Sequence, residues 1–269
     1  MTQAITVVVC TLDEEDVIER CLTPVRWANE LLVIDSGSTD ATRERAEALG
    51  ATVHHQDWLG FSAQKNRGAA LARNDWILSL DADEVVSAEL AASIREVASG
   101  PMDPRDGYAV DRRGDFLGAL LPNGARKRKR DRFVRLYNRR HSEWDTSAPV
   151  HEEVRCPGRR HQLAGVLLHW NGYSLDELVA LFNRYATIEA KALSAGGKRS
   201  SAVAALYRPL LRFGWHYVVR GEMRLGARGL LHSGLKATSE YMRYAKLWEL
   251  QNAPSHSPDP PPNLLPPPQ

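Results

Sequence analysis

Short apolar runs punctuate the N-terminal third of the chain. Ile5–Cys10 is a continuous, largely β-branched run, and Leu31–Ile34, Ala51–His55 and Trp76–Leu80 follow it. Runs this short, without polar alternation, read as strands covered on both faces. Helical stretches are expected between them, over Glu14–Leu22, Ala41–Leu49 and Ser62–Ala72, with Gly50 as a C-cap. Ser87 is placed to N-cap a further helix that ends before Gly100-Pro101. Strand and helix in alternation predict an α/β fold: a doubly wound, mostly parallel sheet. From Arg105 the pattern is less regular, with Tyr108–Asp111 and Phe133–Tyr137 read as strands that extend the sheet in mixed fashion. From Ser174 it turns helical, with Leu178, Leu181, Phe182, Tyr185 and Ile188 at helical spacing. Residues 254–268 hold eight prolines and cannot build a core. The expected division is an α/β domain over 1–172, a basic amphipathic helical region over 173–252, and a disordered Pro-rich tail over 253–269.

Composition narrows the class. The 269 residues are 43% apolar, enough for a real core. Three cysteines, Cys10, Cys21 and Cys156, lack metal-ligand spacing and suit a reducing compartment. The start lacks a basic leader, and no stretch approaches the ~20 apolar residues of a membrane span. The expectation is a cytoplasmic protein, peripheral on the cytoplasmic face of the inner membrane. The net charge of +2 conceals segregation. From Asp13 to Glu96 there are 17 acidic residues against 8 basic; from Lys198 to Glu249 there are 10 basic against 3 acidic. A basic run, Arg126–Arg130, lies between them. One end is suited to a metal and the other to an anionic partner.

In open α/β sheets ligands bind at the carboxyl ends of the strands. Thr11 and Asp13 follow the first strand, Asp35 the second, and Asp81-Ala82-Asp83 the fourth. Asp40 reads as a helix-start residue. The chain has no Gly-x-Gly-x-x-Gly and no Gly-x4-Gly-Lys-Ser/Thr, so a diphosphate must be held by metal and cationic side chains. Two carboxylates one residue apart, Asp81 and Asp83, meet that need with a hard divalent cation.

With these residues the chain resembles family-2 glycosyltransferases of GT-A fold. The matching motifs are Thr11-Leu12-Asp13-Glu14-Glu15, Leu32 to Asp40, and Asp81-Ala82-Asp83-Glu84. Trp58-x-Gly60-Phe61-x-x-Gln64-Lys65-Asn66, Arg135-Leu136-Tyr137-Asn138 and Val150-His151-Glu152 bring it close to the bacterial β-1,4-glucosyltransferases of the lipopolysaccharide inner core. The resemblance covers about residues 4–250, and Asp13 departs from it, because the family usually has Asn there. It implies a GT-A catalytic domain, a nucleotide-diphosphate sugar donor such as UDP-glucose, and a saccharide or glycolipid acceptor in cell-envelope glycan synthesis. By position, it implies that Thr11 and Asp13 line the nucleotide pocket and that Asp35 accepts hydrogen bonds from uracil. Lys65 would face the base or diphosphate. Asp81 would contact ribose or metal, and Asp83 would be the main ligand of Mg2+ or Mn2+.

Inverting transfer needs a base for the acceptor hydroxyl and neutralisation of the departing diphosphate. The resemblance points to Glu152 as the base, with Glu153 and Asp145 as alternatives. His151 would bind diphosphate or orient Glu152. Arg208, Arg212, His216, Arg220, Arg224 and Arg228 recur every four residues among apolar ones, with Gly214, Gly221, Gly226 and Gly229 expected to break the helix. This combination fits an anionic membrane surface; no nucleic-acid motif accompanies it. Arg126–Arg130 is expected as a mobile loop near the acceptor. Two rival readings stand beside this one: a haloacid-dehalogenase-like phosphatase with Asp81 as nucleophile, and a non-catalytic sugar-nucleotide-binding protein at the membrane surface.

Overall fold

The computed structural model describes residues 2–122, 132–147, 153–170 and 172–252. The chain divides into two compact units, Met1–Asp115 with Arg126–Asn171, and Phe116–Ala125 with Gly172–Gln269.

The first unit is the α/β body. Its early strands are β1 (Ile5–Thr11), β2 (Glu30–Asp35), β3 (Thr52–His55) and β4 (Trp76–Asp81). They are joined by α1 (Ile18–Leu22), α2 (Thr42–Ala48) and α3 (Phe61–Leu71). β5 (Glu84–Val86) leads into α4 (Ala88–Ala98), capped by Ser87, whose Oγ accepts from the Leu90 amide at 3.2 Å. β6 (Gly107–Phe116), β8 (Arg132–Asn138) and β11 (Arg160–His169) complete the main sheet. β7 (Ala119–Leu120) is a short strand, and β9 (Glu143–Trp144) pairs with β10 (Val154–Arg155) apart from the main sheet.

The main sheet runs β3-β2-β1-β4-β8-β6-β11-β5. β1 to β4 are mutually parallel. β1, β2 and β4 are covered as their apolar runs predict, with Val7, Val8, Val9, Val33, Ile34, Ile77 and Leu78 fully buried. β3 is instead an edge strand whose Thr52, His54 and His55 are exposed, against the expectation for that run. β8 is antiparallel to both β4 and β6, which makes the extension mixed. Gly68 in α3 has a local reason: a Cβ there would sit 2.4 Å from Val8 Cγ1, so the helix can lie on β1 only without one.

The second unit is helical. α5 (Leu175–Ala195) begins with a capping box between Ser174 and Glu177. α6 (Ala202–Gly214) passes into a π-helical turn, Trp215–Val219; a 3-10 turn, Glu222–Leu225, precedes α7 (Ala227–Asn252). Gly214 keeps helical φ and ψ (−56°, −39°) as α6 runs on into the π turn, so it is not the expected break; Gly221 and Gly226, with positive φ of +78° and +59°, do interrupt the helix. Gly229 does not. It lies buried inside α7, where a Cβ would stand 1.8 Å from the Glu222 carbonyl oxygen. It is a packing glycine rather than a break. The expected cationic stripe is also redistributed. His216 is buried, and Arg208 turns inward to donate to the Tyr244 hydroxyl at 2.8 Å.

Candidate active site

Register alone lines up the strand ends. Thr11 of β1 pairs with Asp35 of β2, Asp35 with His55 of β3, and Cys10 with Asp81 of β4. The polar residues that follow these strands therefore gather at one edge. Asp35 is wholly buried and its carboxylate is occupied by its own turn. It accepts from the amides of Gly37 and Ser38 at 3.0 Å each, from the Ser38 hydroxyl, and from Thr11 Oγ1 at 3.3 Å. The loop after β1 is stapled to the loop after β2 in the same way. The Asp13 amide donates to Ser38 Oγ at 2.9 Å, and Asp13 Oδ1 accepts from the Thr39 amide at 2.8 Å. Asp13 holds φ at +52°, a left-handed conformation that Asn and Asp tolerate best, so either residue serves the backbone here. Asp40 does what a helix-start residue should: its Oδ1 accepts from the Thr42 amide at 3.0 Å.

The Asp81 carboxylate sits among cations. Lys65 Nζ is 2.8 Å from Oδ1, and Arg135 and Arg112 place Nη2 3.3 and 4.0 Å from Oδ2. Burial alone would raise its pKa, but Arg135 and Lys65 outweigh burial and hold it well below the usual carboxylate range. Glu84 fastens this group from beneath. Fully buried, it binds Arg112 Nε and, at 2.8 Å, Arg135 Nη2, and it accepts from the Asp81 amide at 3.1 Å. Trp144 forms a further wall, with Lys65 Nζ 4.4 Å and Arg135 Cζ 5.3 Å from its ring.

Asp83 has a different partner. β11 pairs with β5 so that His169 stands opposite Glu84, and His169 Nε2 then lies 2.9 Å from Asp83 Oδ2. Both side chains are partly exposed. A carboxylate oxygen and an imidazole nitrogen side by side suit a divalent ion that accepts both donors, and substrate oxygens can complete the shell. The surrounding field favours a cation too. Burial pushes the Glu14 carboxyl up to about 7, and the negative charges of Asp83, Asp40, Asp13 and Asp81 add to the effect.

The structure thus gathers Thr11, Asp13, Asp35, Lys65, Asp81 and Asp83 at one sheet edge, and adds Arg112, His169 and the buried Glu84. Arg112 and His169 carried no sequence signal, because they come from β6 and β11, far from the acidic strand ends in the chain. Glu84 stands in the Asp81-Ala82-Asp83-Glu84 motif, but nothing in the sequence marked it as the buried partner of Arg112 and Arg135. Glu152 and His151 lie outside the described residues, as do Arg126–Arg130 and the Pro-rich tail. The alternatives for the base are otherwise engaged. Asp145 is ion-paired to Arg155 at 2.6 Å, and hydrogen bonds from Ser147 push its pKa down; Glu153 is ion-paired to Arg160.

A second group of potential ligands lies in the helical unit. The Nδ1 atoms of His216 and His232 are 2.8 and 2.9 Å from the two Glu222 oxygens, and Ser233 Oγ donates to the same carboxylate at 2.7 Å. His216, Glu222 and His232 are buried and close enough together to hold a divalent ion. Their spacing crosses a π turn, a 3-10 turn and α7, so no single helical period signals them.

The family model for glycosyl transferase family 2 matches residues 6–148. An uncharacterized glycosyltransferase of Rickettsia bellii is 32% identical over 263 residues, which covers 93% of this chain and 88% of that protein. The lipopolysaccharide core biosynthesis glycosyltransferase LpsC of Rhizobium meliloti is 27% identical over 249 residues, 90% of each chain. Among solved structures, glucosyl-3-phosphoglycerate synthase from Mycobacterium tuberculosis with Mn2+ and uridine-diphosphate-glucose aligns over 42% of this chain and 44% of that one. Its identity is 25% and its TM-score 0.35.

Proposed function

Because the chain belongs to glycosyl transferase family 2 and is an inverting transferase of nucleotide-diphosphate sugars, we propose that it moves glucose from UDP-glucose to a saccharide or glycolipid acceptor in lipopolysaccharide-core synthesis. The observation that carries the site assignment is the pairing of Asp83 with His169 beside the cation-bound Asp81. The core pathway is supported by the similarity to LpsC over nearly the whole chain.

In this reading Asp83 and His169 would hold Mg2+ or Mn2+, with Mn2+ the better match to an imidazole ligand, while Asp81, expected as a second ligand, is engaged by Lys65 and Arg135 instead. The ion supplies charge neutralisation for the departing diphosphate. Lys65, Arg112 and Arg135 keep Asp81 ionised and set a positive wall against the phosphate oxygens. Thr11, Asp13 and Asp35 shape the floor of the nucleotide pocket; the Asp35 carboxylate, buried and occupied by Thr11, Gly37 and Ser38, builds that floor in place of the expected acceptance from uracil. Glu152 removes the proton from the acceptor hydroxyl, and His151 orients it. The engagement of Asp145 and Glu153 with arginines supports this choice: both carboxylates are ion-paired, and Asp145, with its pKa held down by Ser147, is a poor base. The family assignment sets aside the phosphatase alternative for Asp81.

The test is a nucleotide-sugar hydrolysis screen with Mg2+ or Mn2+. Release of UDP from UDP-glucose that depends on metal and is lost in Asp83→Asn and His169→Ala supports the site. Equal turnover in those variants removes Asp83 and His169 from it.

A further inference from the structure

The apolar face of α6 points the wrong way for a helix of an aqueous domain. Val203, Leu206, Leu210 and Leu211 are 69%, 67%, 73% and 67% exposed, and Val218 in the following π turn is 62% exposed. Val203, Leu206 and Leu210, three and four residues apart, lie on one side of the helix, and Leu211 flanks Leu210. Tyr207 and Trp215 are also exposed beside them. The inward side of α6 is small by contrast: Ala205 is its buried residue, and Arg208 reaches across to Tyr244. The helix is amphipathic, but much of its apolar side is bare. Isolated exposed leucines need no explanation, whereas a contiguous row of them does.

Charge identifies the occupant. Between Glu189 and Glu222 the sequence has no acidic residue, while Lys191, Lys198, Arg199, Arg212 and Arg220 lie within it in addition to the inward-turned Arg208. A second copy of the chain seated on this face would bring the same cations against these, which is repulsive. An anionic bilayer offers both complements at once, acyl chains for the leucines and phosphate headgroups for the arginines and lysines. Tyr and Trp suit the boundary between them. Among the described residues no helix is long and apolar enough to cross a membrane, so the helix would lie in the surface. We infer that α6 and the π turn after it form an in-plane docking face for an anionic phospholipid surface, with Leu206, Leu210 and Leu211 inserted among the acyl chains. The inference does not depend on the identity of the sugar or acceptor.

The experiment uses the full chain with vesicles of phosphatidylcholine alone, or of phosphatidylcholine with phosphatidylglycerol. The wild type is expected to float with the anionic vesicles and to be released by salt. Leu206→Glu with Leu210→Glu should lower the bound fraction about tenfold or more. Both sites face solvent, so circular dichroism and donor hydrolysis without vesicles should match the wild type. That match separates a docking defect from failure of the transferase reading. Arg212→Gln with Arg220→Gln should weaken binding to anionic vesicles and flatten its salt dependence. A wild type that stays in the aqueous fraction, or a double-glutamate variant that floats equally well, overturns the proposal. Light scattering on the same samples would then reveal whether a second copy covers the face instead.

Discussion

The two units differ in where they leave their apolar and charged side chains. In the α/β unit the strands bury their valines, isoleucines and leucines, and the charged residues collect at the strand ends. In the helical unit a carboxylate, two imidazoles and a hydroxyl are buried together, while leucines and valines of α6 face outward. The first arrangement suits a small, charged, water-borne donor. The second suits a surface that is apolar inside and anionic at its rim. The contrast lies in the bare apolar row of α6, which has no counterpart in the strands of the α/β unit, where the apolar side chains are buried.

Substitutions can break this comparison at different strengths. The largest effect is expected from Glu152→Gln. Removing the base should lower transfer by roughly 10²–10⁴-fold while UDP-glucose affinity, measured calorimetrically, stays near wild type. Retained turnover would move the base elsewhere. Next comes Asp83→Asn, expected to cost about 10²–10³-fold in metal-dependent turnover with little change in Tm, because both Asp83 and His169 are partly exposed. A large loss of Tm would instead make the pair structural. In the helical unit the prediction falls on stability. Gly229→Ala places a methyl against the Glu222 carbonyl and should destabilise by about 1–3 kcal/mol in denaturant melts.

The smallest effect concerns pH. Burial, with help from Arg212, pushes the Lys236 ammonium down to about 8. A lysine with a depressed folded pKa binds fewer protons folded than unfolded, so stability rises with pH between the folded and unfolded values. Lys236→Met should therefore raise Tm near neutral pH, and the gain should fade above about pH 10. A gain that is constant across this range would assign it to packing alone.

Much of the sheet was legible because β1, β2 and β4 are apolar runs and their ends carry Thr11, Asp35 and Asp81. β11 was not legible: Arg160, His161 and Gln162 are exposed, so its first half lacks the apolar signature of a covered strand. With β11 hidden, so was His169. Gly229 was misread for a related reason. Glycine in a helix looks like a break until a close neighbour, here the Glu222 carbonyl, makes it a requirement.

The sequence by itself determined the alternation of strand and helix, the acidic residues at the strand ends, the basic bias of the C-terminal half and the family motifs. All of these depend on neighbours a few residues apart, where periodicity and caps act. Only the tertiary structure decided that Glu84 ties Arg112 and Arg135 to the Asp81 site, that Asp83 meets His169, and that His216 turns inward while the leucines of α6 turn out. The physical reason is that an amphipathic helix or a charged side chain specifies a preference for a kind of neighbour. Which neighbour it meets is set by strand pairing and helix packing between segments distant in the chain.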